Sequence, residues 1–578
     1  MIKELCEFGK RIRTGHDALK DEPISIDLII KDDGSFVSFS IIEKISRPAE
    51  AITAKKGKAR LLLDKAEEVL CYGGEKSKKK HLIFIDKLNL YVGLEILSPV
   101  FAFYRSNREN GVNRALQEFG NQVEEKERGG NIAFRINEMR IHEQKEVYEA
   151  IIERFERSQI EQLKGKKKEC SICSKTDFPV LDQPHGLIKR VPDGQSAGCA
   201  LISYNENAFE SYDLTGNDNS SVCTNCAKNY VEGLNYLLTN GYIKGISDYT
   251  NRKNFGSDTA MVFWTREPEA LDEMNWFDKP DAGRVANLIE SVANAQKNRA
   301  ANIKSNQFYS LTLSGAAARI AIRDWIEISL DEYKQNIAKW FEDTAIRAYG
   351  EKRYFPLYVL ARAGHNTKSD SDPTNSRIAT QLWNAALKNT VPSLWILNAV
   401  LKRIRFVEQT ADGQPKDSVT PERAALLRFV LNRNNKNGGY MIKEQNDPND
   451  KNSAIICGKI FAVMESIQRA ALGKEINAGI RERFFSFVST SPAPAFGRLM
   501  KLSQNHISKL KHEKPGLAII LDKQLQELCS LLNVFPPIFS LEEQGQFALG
   551  YYHQKQEDYD NYKNNKEMQS LIENYKEE

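Results

Sequence analysis

Two Cys-x-x-Cys pairs are the sharpest chemical feature of the sequence. The first pair is Cys170 with Cys173, and the second is Cys223 with Cys226. Two residues between thiolates let both sulfurs of a tight turn face one ion, and two such turns complete a tetrahedron. We therefore predict a structural zinc site whose four cysteines leave no coordination position for a substrate. The alternatives are redox-active pairs or unliganded buried thiols.

Other residues near these pairs are reserve ligands. His185 and Cys199 are close in sequence, although each is more simply a residue of the folded core or of the surface. Nine cysteines in 578 residues are too few for a disulfide scaffold. We expect the cysteines outside the pairs to be small buried hydrophobes in a reducing compartment. They are Cys6, Cys71, Cys199, Cys457 and Cys529.

Basic residues are concentrated in the N-terminal region, where residues 44–80 contain eleven Lys or Arg and five Asp or Glu. A glycine-bearing loop in this segment is our candidate for contact with DNA, because glycine lets the backbone approach a phosphate closely. Its residues are Lys55, Lys56, Gly57, Lys58 and Arg60. Further clusters are Lys78–Lys80 and Lys164 with Lys166–Lys168. Any one cluster is also compatible with a solvated surface.

The residue patterns typical of catalysis are missing from the sequence. It contains no Gly-x-x-x-x-Gly-Lys-[Ser/Thr] loop, no serine nucleophile elbow and no His-Glu-x-x-His motif. His16-Asp17 is a lone pair, whereas a metal-dependent nuclease needs further His and Asp ligands. We therefore expect a binding protein with no catalytic residues.

The composition is that of a globular protein with several domains. Hydrophobic residues make up 41% and charged residues 27% of the chain. The net charge of +4 is too small to indicate nucleic-acid binding by itself. A small net charge is nevertheless compatible with strongly basic local patches. No apolar segment is long enough to cross a membrane, and the N-terminus lacks the apolar stretch of a signal peptide. We expect a cytoplasmic protein.

The elements that must position these residues change in type along the chain. Alternating apolar residues predict strands at 24–30, 35–42, 132–136, 199–204, 260–264, 308–313 and 318–325, the first two forming a hairpin. Helices are expected near 145–163 and 227–238, and the apolar spacing is helical from residue 330 onward. The predicted fold class is α+β, with β-rich N-terminal and central regions, a zinc-knuckle insertion and an all-helical C-terminal bundle.

These elements predict five regions. An N-terminal, mainly β domain with the basic loop spans 1–165, and the four-cysteine region spans 166–240. The α/β body continues over 241–330. A helical domain then spans 331–455, and a C-terminal helical bundle spans 456–578.

Several blocks of sequence occur in order along nearly the whole chain. Central blocks are Ala200-Leu201-Ile202-Ser203-Tyr204-Asn205 and Ala208-Phe209-Glu210-Ser211-Tyr212. Later blocks are Phe308-Tyr309-x-Leu311-x-Leu313-Ser314, Gly458-Lys459-Ile460-Phe461-Ala462-Val463-Met464-Glu465 and Gln544-Gly545-x-Phe547-x-x-Gly550-Tyr551-Tyr552-His553-Gln554. Together they resemble the large-subunit family of type I-C CRISPR Cascade (surveillance) complexes, and ordered agreement is more specific than any single block.

The resemblance implies a non-catalytic subunit in RNA-guided antiviral defence. Such subunits inspect duplex DNA for a protospacer-adjacent motif (PAM), support R-loop formation by the crRNA, and present the target to a recruited helicase-nuclease. The family's motif-reading loop falls in the N-terminal domain, at the region of Lys55 to Arg60. The implied partners are the Cascade backbone subunits, the subunit that binds the crRNA handle, crRNA, double-stranded target DNA and the displaced single strand.

The resemblance also implies a separate small subunit, which the family produces by internal translation of the same gene. The C-terminal part of this chain, beginning near Val463 or Met464, resembles that product. Lys501, Lys509 and Lys511 are then candidates for contact with the displaced strand.

Two other classes of function stay open on the residues alone. One is a metal-dependent nuclease or crRNA-processing enzyme, which needs acidic or His ligands clustered in a pocket. The other is a zinc-stabilised nucleic-acid-binding protein unrelated to CRISPR, which the genomic neighbourhood distinguishes.

Overall fold

The chain forms two compact units. The first contains residues 1–189 and 197–236, and the second contains residues 190–196 and 237–578. The computed structural model describes residues 1–13, 15–52, 58–162, 169–176, 185–241, 249–255, 257–297, 306–364, 373–406, 408–409, 415–416, 418–435, 440–473 and 478–577. The predicted α+β class is confirmed, because strands are concentrated in the N-terminal and central parts and helices in the C-terminal part.

A five-stranded sheet organises the first unit. Its strands are β1 (Leu19–Ile30), β2 (Phe36–Glu50), β3 (Leu63–Lys65), β4 (Asn131–Ile136) and β5 (Met139–Arg140). The order is β2-β1-β4-β3 with β5 paired to β4, and the β1–β4 pairing is parallel. Ile24, Ile26, Leu28 and Ile30 are buried at every second position of β1, as expected for a strand with one face on the core. The predicted hairpin and the strand at 132–136 are confirmed.

The described residues of the first unit include the starts of seven α-helices. They are α1 (Ile2–Ile12), α2 (Ala66–Val69), α3 (Glu75–Asn89), α4 (Ser98–Tyr104), α5 (Arg114–Gln122), α6 (Lys145–Gln162) and α7 (Thr224–Thr239). The predictions of α6 and α7 are confirmed. The strand expected at 199–204 is wrong, because Cys199 forms only an isolated bridge with Ile188. The residues from 205 to 215 that follow are all exposed.

The second unit contains a four-stranded antiparallel sheet. Its strands are β6 (Arg252–Phe255), β7 (Thr259–Thr265), β8 (Gln307–Ala316) and β9 (Arg319–Ser329), and they pair in that order. The three strands predicted at 260–264, 308–313 and 318–325 are therefore confirmed. The turn between β8 and β9 lies just after the small-residue run Ser314-Gly315-Ala316. In this turn Ala317 has a φ of 54°.

Helices make up most of the rest of the second unit. They are α8 (Glu273–Trp276), α9 (Ala282–Lys297), α10 (Leu330–Thr344), α11 (Leu357–Ala363), α12 (Pro373–Lys388), α13 (Trp395–Arg405), α14 (Pro421–Asn434), α15 (Ser453–Leu472), α16 (Ile480–Val488), α17 (Pro492–Glu513), α18 (Pro515–Ser530) and α19 (Leu541–Glu577). Two short strand pairs interrupt the helices before α15. They are β10 (Ile346–Ala348) with β11 (Glu351–Arg353), and β12 (Glu408–Gln409) with β13 (Pro415–Lys416).

The centre of the C-terminal bundle is the crossing of α15 and α19. A Cβ atom on Gly458 would lie 2.1 Å from the carbonyl oxygen of Phe547, and one on Gly550 would lie 2.1 Å from that of Ile455. Both glycines are therefore required for the two backbones to approach so closely. Among the described helices, none combines the length and the apolar character that a membrane span requires.

Candidate metal centre and nucleic-acid interface

The four paired cysteines converge on one place in the first unit. The sulfur atoms of Cys170, Cys173, Cys223 and Cys226 all lie within 4.8 Å of one another. The distance between Cys173 Sγ and Cys223 Sγ is 3.9 Å. A tetrahedral zinc ion with Zn–S bonds of about 2.3 Å has sulfur–sulfur edges of about 3.8 Å. The donor set and its spacing therefore fit a four-sulfur metal site.

Local backbone structure holds each pair in place. The first pair lies in a tight turn in which the Ser174 amide donates to the carbonyl of Cys170 at 2.8 Å. The second pair lies at the start of α7, where the amide of Cys226 points at Cys223 Sγ, 3.4 Å away. The amide of Cys223 points at Cys170 Sγ, 3.3 Å away. Amide donors and a helix N-terminus both favour negatively charged sulfur, which is the form that binds metal.

The surroundings of the thiols determine when they release protons. Burial raises the pKa of Cys173 above its ordinary value. Hydrogen bonding with Cys226, together with burial, raises the pKa of Cys223. Because a metal ion must displace these protons, metal affinity should decrease as the pH falls.

The N-terminal helix contacts this centre. Cys6 Sγ donates a hydrogen bond to the carbonyl oxygen of Cys226 at 3.1 Å. The sequence suggested only a buried thiol at Cys6, because nothing in a one-dimensional pattern brings residue 6 to residue 226. The two reserve ligands do not join the cluster. Instead, His185 Nδ1 is hydrogen-bonded to the hydroxyl of Tyr230, and Cys199 pairs with Ile188.

The proposed DNA-contacting loop is described only in part. Lys55, Lys56 and Gly57 lie outside the described residues, and Lys58 is exposed. Arg60 has only 13% of its side chain exposed and pairs with Glu22 at 2.8 Å. This guanidinium is therefore engaged within the protein, and its described geometry suits positioning the loop rather than presenting a charge to DNA.

The two ends of this loop are tied together. Glu50 Oε2 accepts a hydrogen bond from the amide of Leu61 at 3.0 Å. The other oxygen of the same carboxylate, Oε1, pairs with Lys87 on α3. The amide of Arg60 donates to Asp64 Oδ2 at 3.1 Å. Hydrogen bonds and an ion pair therefore hold the chain at both ends of the segment between residues 50 and 61.

A groove beside the sheet collects basic residues that the sequence did not bring together. It encloses about 560 Å³. Lysines and glutamates line it together with apolar and small residues: Lys44, Lys65, Lys126, Glu43, Glu127, Pro23, Ser25, Ile41, Ile42, Gly129, Gly130 and Asn131. Lys44 and Lys65 belong to the basic segment 44–80, whereas Lys126 comes from a distant loop. Three lysines and two glutamates give the groove a small excess of positive charge, and Lys126 also pairs with Glu124 at 2.8 Å.

Strand irregularity and a glycine open this groove. The register of β1 and β2 shifts between Ile24 and Ile26, so that Ile42, Glu43 and Lys44 bulge from β2 opposite Ser25. A Cβ atom on Gly130 would lie 1.9 Å from Ser25 Oγ. A side chain at residue 130 would therefore require the hydroxyl of Ser25 to move.

The other basic clusters differ in their surroundings. Lys78 pairs with Glu75 at 2.6 Å, and Lys80 pairs with Glu67 and Glu68. Neighbouring glutamates therefore partly neutralise the positive charge of this cluster. Lys164 and Lys166–Lys168 lie outside the described residues.

The three lysines predicted to contact a single strand lie on α17. Lys501, Lys509 and Lys511 are all exposed, while the opposite face of this helix is buried through residues such as Phe496 and Leu510. Lys509 is 3.7 Å from Glu513, and Lys511 is 3.5 Å from Asp522. Ion pairs near the surface contribute little to stability.

Within the part of the chain that the structure describes, the four cysteines are the one group of three or more Cys, His, Asp or Glu side chains close enough to share a metal ion. A nuclease centre built from acidic residues therefore has no counterpart among the described residues.

The comparisons with known proteins give one family. A family model described as CRISPR-associated protein (Cas_Csd1) matches residues 7–559 of the chain. Among curated proteins, no sequence matches this chain. The matched range includes both cysteine pairs, the basic groove and α17.

Proposed function

Because the chain belongs to the Cas_Csd1 family of CRISPR-associated proteins, the large subunits of type I-C Cascade complexes, we propose that it recognises the PAM in duplex DNA. In this role it supports R-loop formation by the crRNA and presents the target to a recruited helicase-nuclease in the cytoplasm. The observation that carries the proposal is the family match over residues 7–559.

The N-terminal groove supports contact with duplex DNA. Lys44, Lys65 and Lys126 line the groove. Lys55, Lys56, Gly57 and Lys58 belong to the loop that Glu50 and Arg60 hold at its ends. Lysines near phosphates contribute salt-dependent affinity and fix the position of the duplex, whereas discrimination between bases needs contacts to base edges. We assign the lysines of the groove to the first role and the loop to the second.

Helix α17 supports contact with the displaced strand. Lys501, Lys509 and Lys511 are exposed on its solvent side. Exposed cations on a helix can contact the phosphates of a single strand. In this proposal a small subunit translated from near Val463 or Met464 carries the same helix and repeats the same contact.

In this proposal the four cysteines hold a structural metal ion and take no part in a reaction. We assign them a zinc ion, since four sulfur ligands at tetrahedral spacing match its preference and leave no site for substrate. Members of the family are generally non-catalytic. We assign DNA cleavage to the recruited helicase-nuclease.

The test is motif-dependent binding by the assembled complex. Labelled duplexes that differ only in the bases beside the target are bound to the crRNA-containing backbone complex, with and without this chain. We expect tight binding to depend on both the chain and one short motif. Substitution of Lys55, Lys56 and Lys58 by Glu should weaken binding most for the duplex that carries the motif and so reduce discrimination between duplexes. Lys145→Glu, at an exposed lysine of the first unit, should change neither.

Two results would contradict this function. Binding that is the same with and without the chain excludes a role in DNA recognition. Cleavage of DNA by the isolated chain in the presence of a divalent metal would instead favour an enzyme.

A further inference from the structure

A tight hairpin at the surface of the first unit has unusual residues at its tip. Ser211 and Leu214 form a bridge, and the amide of Leu214 donates to the carbonyl of Ser211 at 2.9 Å. Every residue from 205 to 215 is exposed. The hairpin therefore lies at the surface of this unit.

The backbone at the tip is unfavourable for the residues that occupy it. Tyr212 has a φ of 52° and Asp213 a φ of 60°. Two central residues with positive φ are the mark of a type I′ turn, for which Asn-Gly is the preferred pair. A bulky aromatic residue rarely adopts this conformation. The stability of the turn therefore does not explain the tyrosine, and strain that persists at one site points to a function there.

The ring of Tyr212 contributes almost nothing to the core. The residue is 96% exposed, and its neighbours Phe209 and Leu214 are 37% and 36% exposed. Tyrosine is among the residues that most often anchor protein interfaces, because it brings a large rigid surface and a hydroxyl group. Tyrosine has only two side-chain torsions to order when it binds, so its entropic cost is low for its contact area.

The charge around the tip indicates the kind of partner. Glu206, Glu210 and Asp213 are exposed, and the sequence from 199 to 220 contains no Lys or Arg. A nucleic-acid backbone is repelled by such a surface, since both carry negative charge. A basic protein surface is attracted to it.

We propose that the acidic hairpin, residues 206–214, docks onto a basic protein subunit of the crRNA-bound complex, with Tyr212 inserted as the anchor. The inference rests on the proposed function, because membership of the family implies a complex with other Cas subunits and crRNA. Subunits that hold crRNA need basic surfaces, and part of such a surface can receive the three carboxylates.

The test measures the affinity of the full-length chain for the crRNA-containing backbone complex. Tyr212→Ala should weaken binding about tenfold or more, as expected for an interface anchor. Neutralising Glu206, Glu210 and Asp213 to Gln, Gln and Asn should weaken binding and reduce its dependence on salt. Tyr562→Ala is the matched control, because Tyr562 is 68% exposed on α19, and it should leave the affinity unchanged.

A second variant separates binding from the stability of the turn. Replacing Tyr212 by Asn and Asp213 by Gly supplies the preferred pair for a type I′ turn. We expect its melting temperature to equal or exceed that of the wild-type chain, while affinity for the complex falls as in Tyr212→Ala. A purely structural tyrosine would give the opposite result.

Three further results would distinguish an error in the docking inference from an error in the proposed function. If the wild-type chain binds the complex and Tyr212→Ala binds equally well, this inference is wrong and the proposed function stands. If Tyr212→Ala loses affinity only for a labelled oligothymidine, the tip contacts a nucleobase and the inference is also wrong. If the wild-type chain does not join the complex at all, the proposed function is wrong as well.

Discussion

Gly9 of α1 and Asn229 of α7 lie so close that a Cβ atom on Gly9 would be 1.8 Å from the Asn229 carbonyl oxygen. Alongside this crossing, Cys6 donates to the carbonyl of Cys226, a member of the cysteine cluster. Arg13 also donates to Asn229 Oδ1 at 3.3 Å. The N-terminal helix is therefore packed directly on α7, the helix that contains Cys226 and begins directly after Cys223.

The first prediction concerns the metal itself. Protein purified without added metal should contain about one zinc ion per chain, as a closed four-sulfur site requires. Cys173→Ser should remove most of this zinc and lower the melting temperature, because a structural site contributes its binding free energy to folding. Metal analysis and thermal unfolding measure the two effects. Cys529→Ser is the control, and equal zinc in both variants would exclude the assigned ligands.

The second prediction follows from the packing of α1 on α7. Removal of zinc with a chelator should speed amide hydrogen exchange in α1, since its support at Cys226 is lost. Exchange in α15 of the second unit should not change. Hydrogen-exchange mass spectrometry resolves the two helices. Unchanged exchange in α1 after complete loss of metal would mean that the helix is held independently of the cysteine centre.

The third prediction concerns the groove lysines. Lys44→Glu and Lys65→Glu should each lower duplex affinity of the assembled complex and reduce the slope of log affinity against log salt by about one. The loss should be similar for duplexes with and without the motif, because phosphate contacts carry no sequence information. Binding is measured at several salt concentrations, with Lys145→Glu as the control. A loss confined to one motif would indicate contact with bases.

The fourth prediction is a dependence on pH. Burial, and next the charge of Arg140, lowers the pKa of His142 from its ordinary value of 6.5 to about 4. The unfolded chain therefore binds more protons than the folded chain between these values, so stability is lost as the pH falls through this window. The difference corresponds to about 3 kcal/mol.

Substitution of His142 tests this directly. Among the described residues, neither ring nitrogen of His142 has a hydrogen-bond partner, and Nε2 lies 3.9 Å from Glu143 Oε1. Leucine therefore removes the proton-binding group without breaking a described hydrogen bond. In His142→Leu, the melting temperature of the first unit should decrease less between pH 7 and pH 5 than in the wild-type chain. His512→Leu, at an exposed histidine, serves as the control. An identical pH dependence in His142→Leu and wild type would assign the acid sensitivity to other groups.

The fifth prediction concerns the internal start. Val463 and Met464 are buried in the middle of α15, so a product that begins there lacks the first half of this helix. It also lacks Asn452, whose Oδ1 accepts from the amides of Ala454 and Ile455 at 3.0 Å each, a cap that contributes about 1 kcal/mol.

Two fragments compare these effects. Residues 464–578 should melt at a lower temperature than residues 452–578 and should expose apolar surface, because the close contacts of α19 with Ile455 and Gly458 are missing. Thermal unfolding and binding of a hydrophobic dye measure the difference. Equal stability would show that the second half of α15 suffices as the core of a small subunit.

Local pattern predicted most of the elements of the fold. The hairpin of β1 and β2, the strand β4, the strands β7 to β9 and the helical C-terminal part all follow from side-chain periodicity, because period two and period 3.6 bury different faces. The run at 199–204 had strand composition but contains only bridge residues, at Cys199 and Ala200. A strand forms only where a neighbouring strand can pair with it, and the sequence of the run itself does not show whether such a neighbour is present.

The sequence by itself determined that four cysteines form two Cys-x-x-Cys motifs, because the two cysteines of each motif lie within a single turn of the chain. It also determined the family, since ordered motifs need no coordinates. Only the tertiary structure decided that Cys6 touches the cysteine centre, that Arg60 pairs with Glu22, and that Lys126 joins Lys44 and Lys65 in one groove. These contacts join residues that are distant in sequence, and their formation depends on how whole elements pack rather than on local preference.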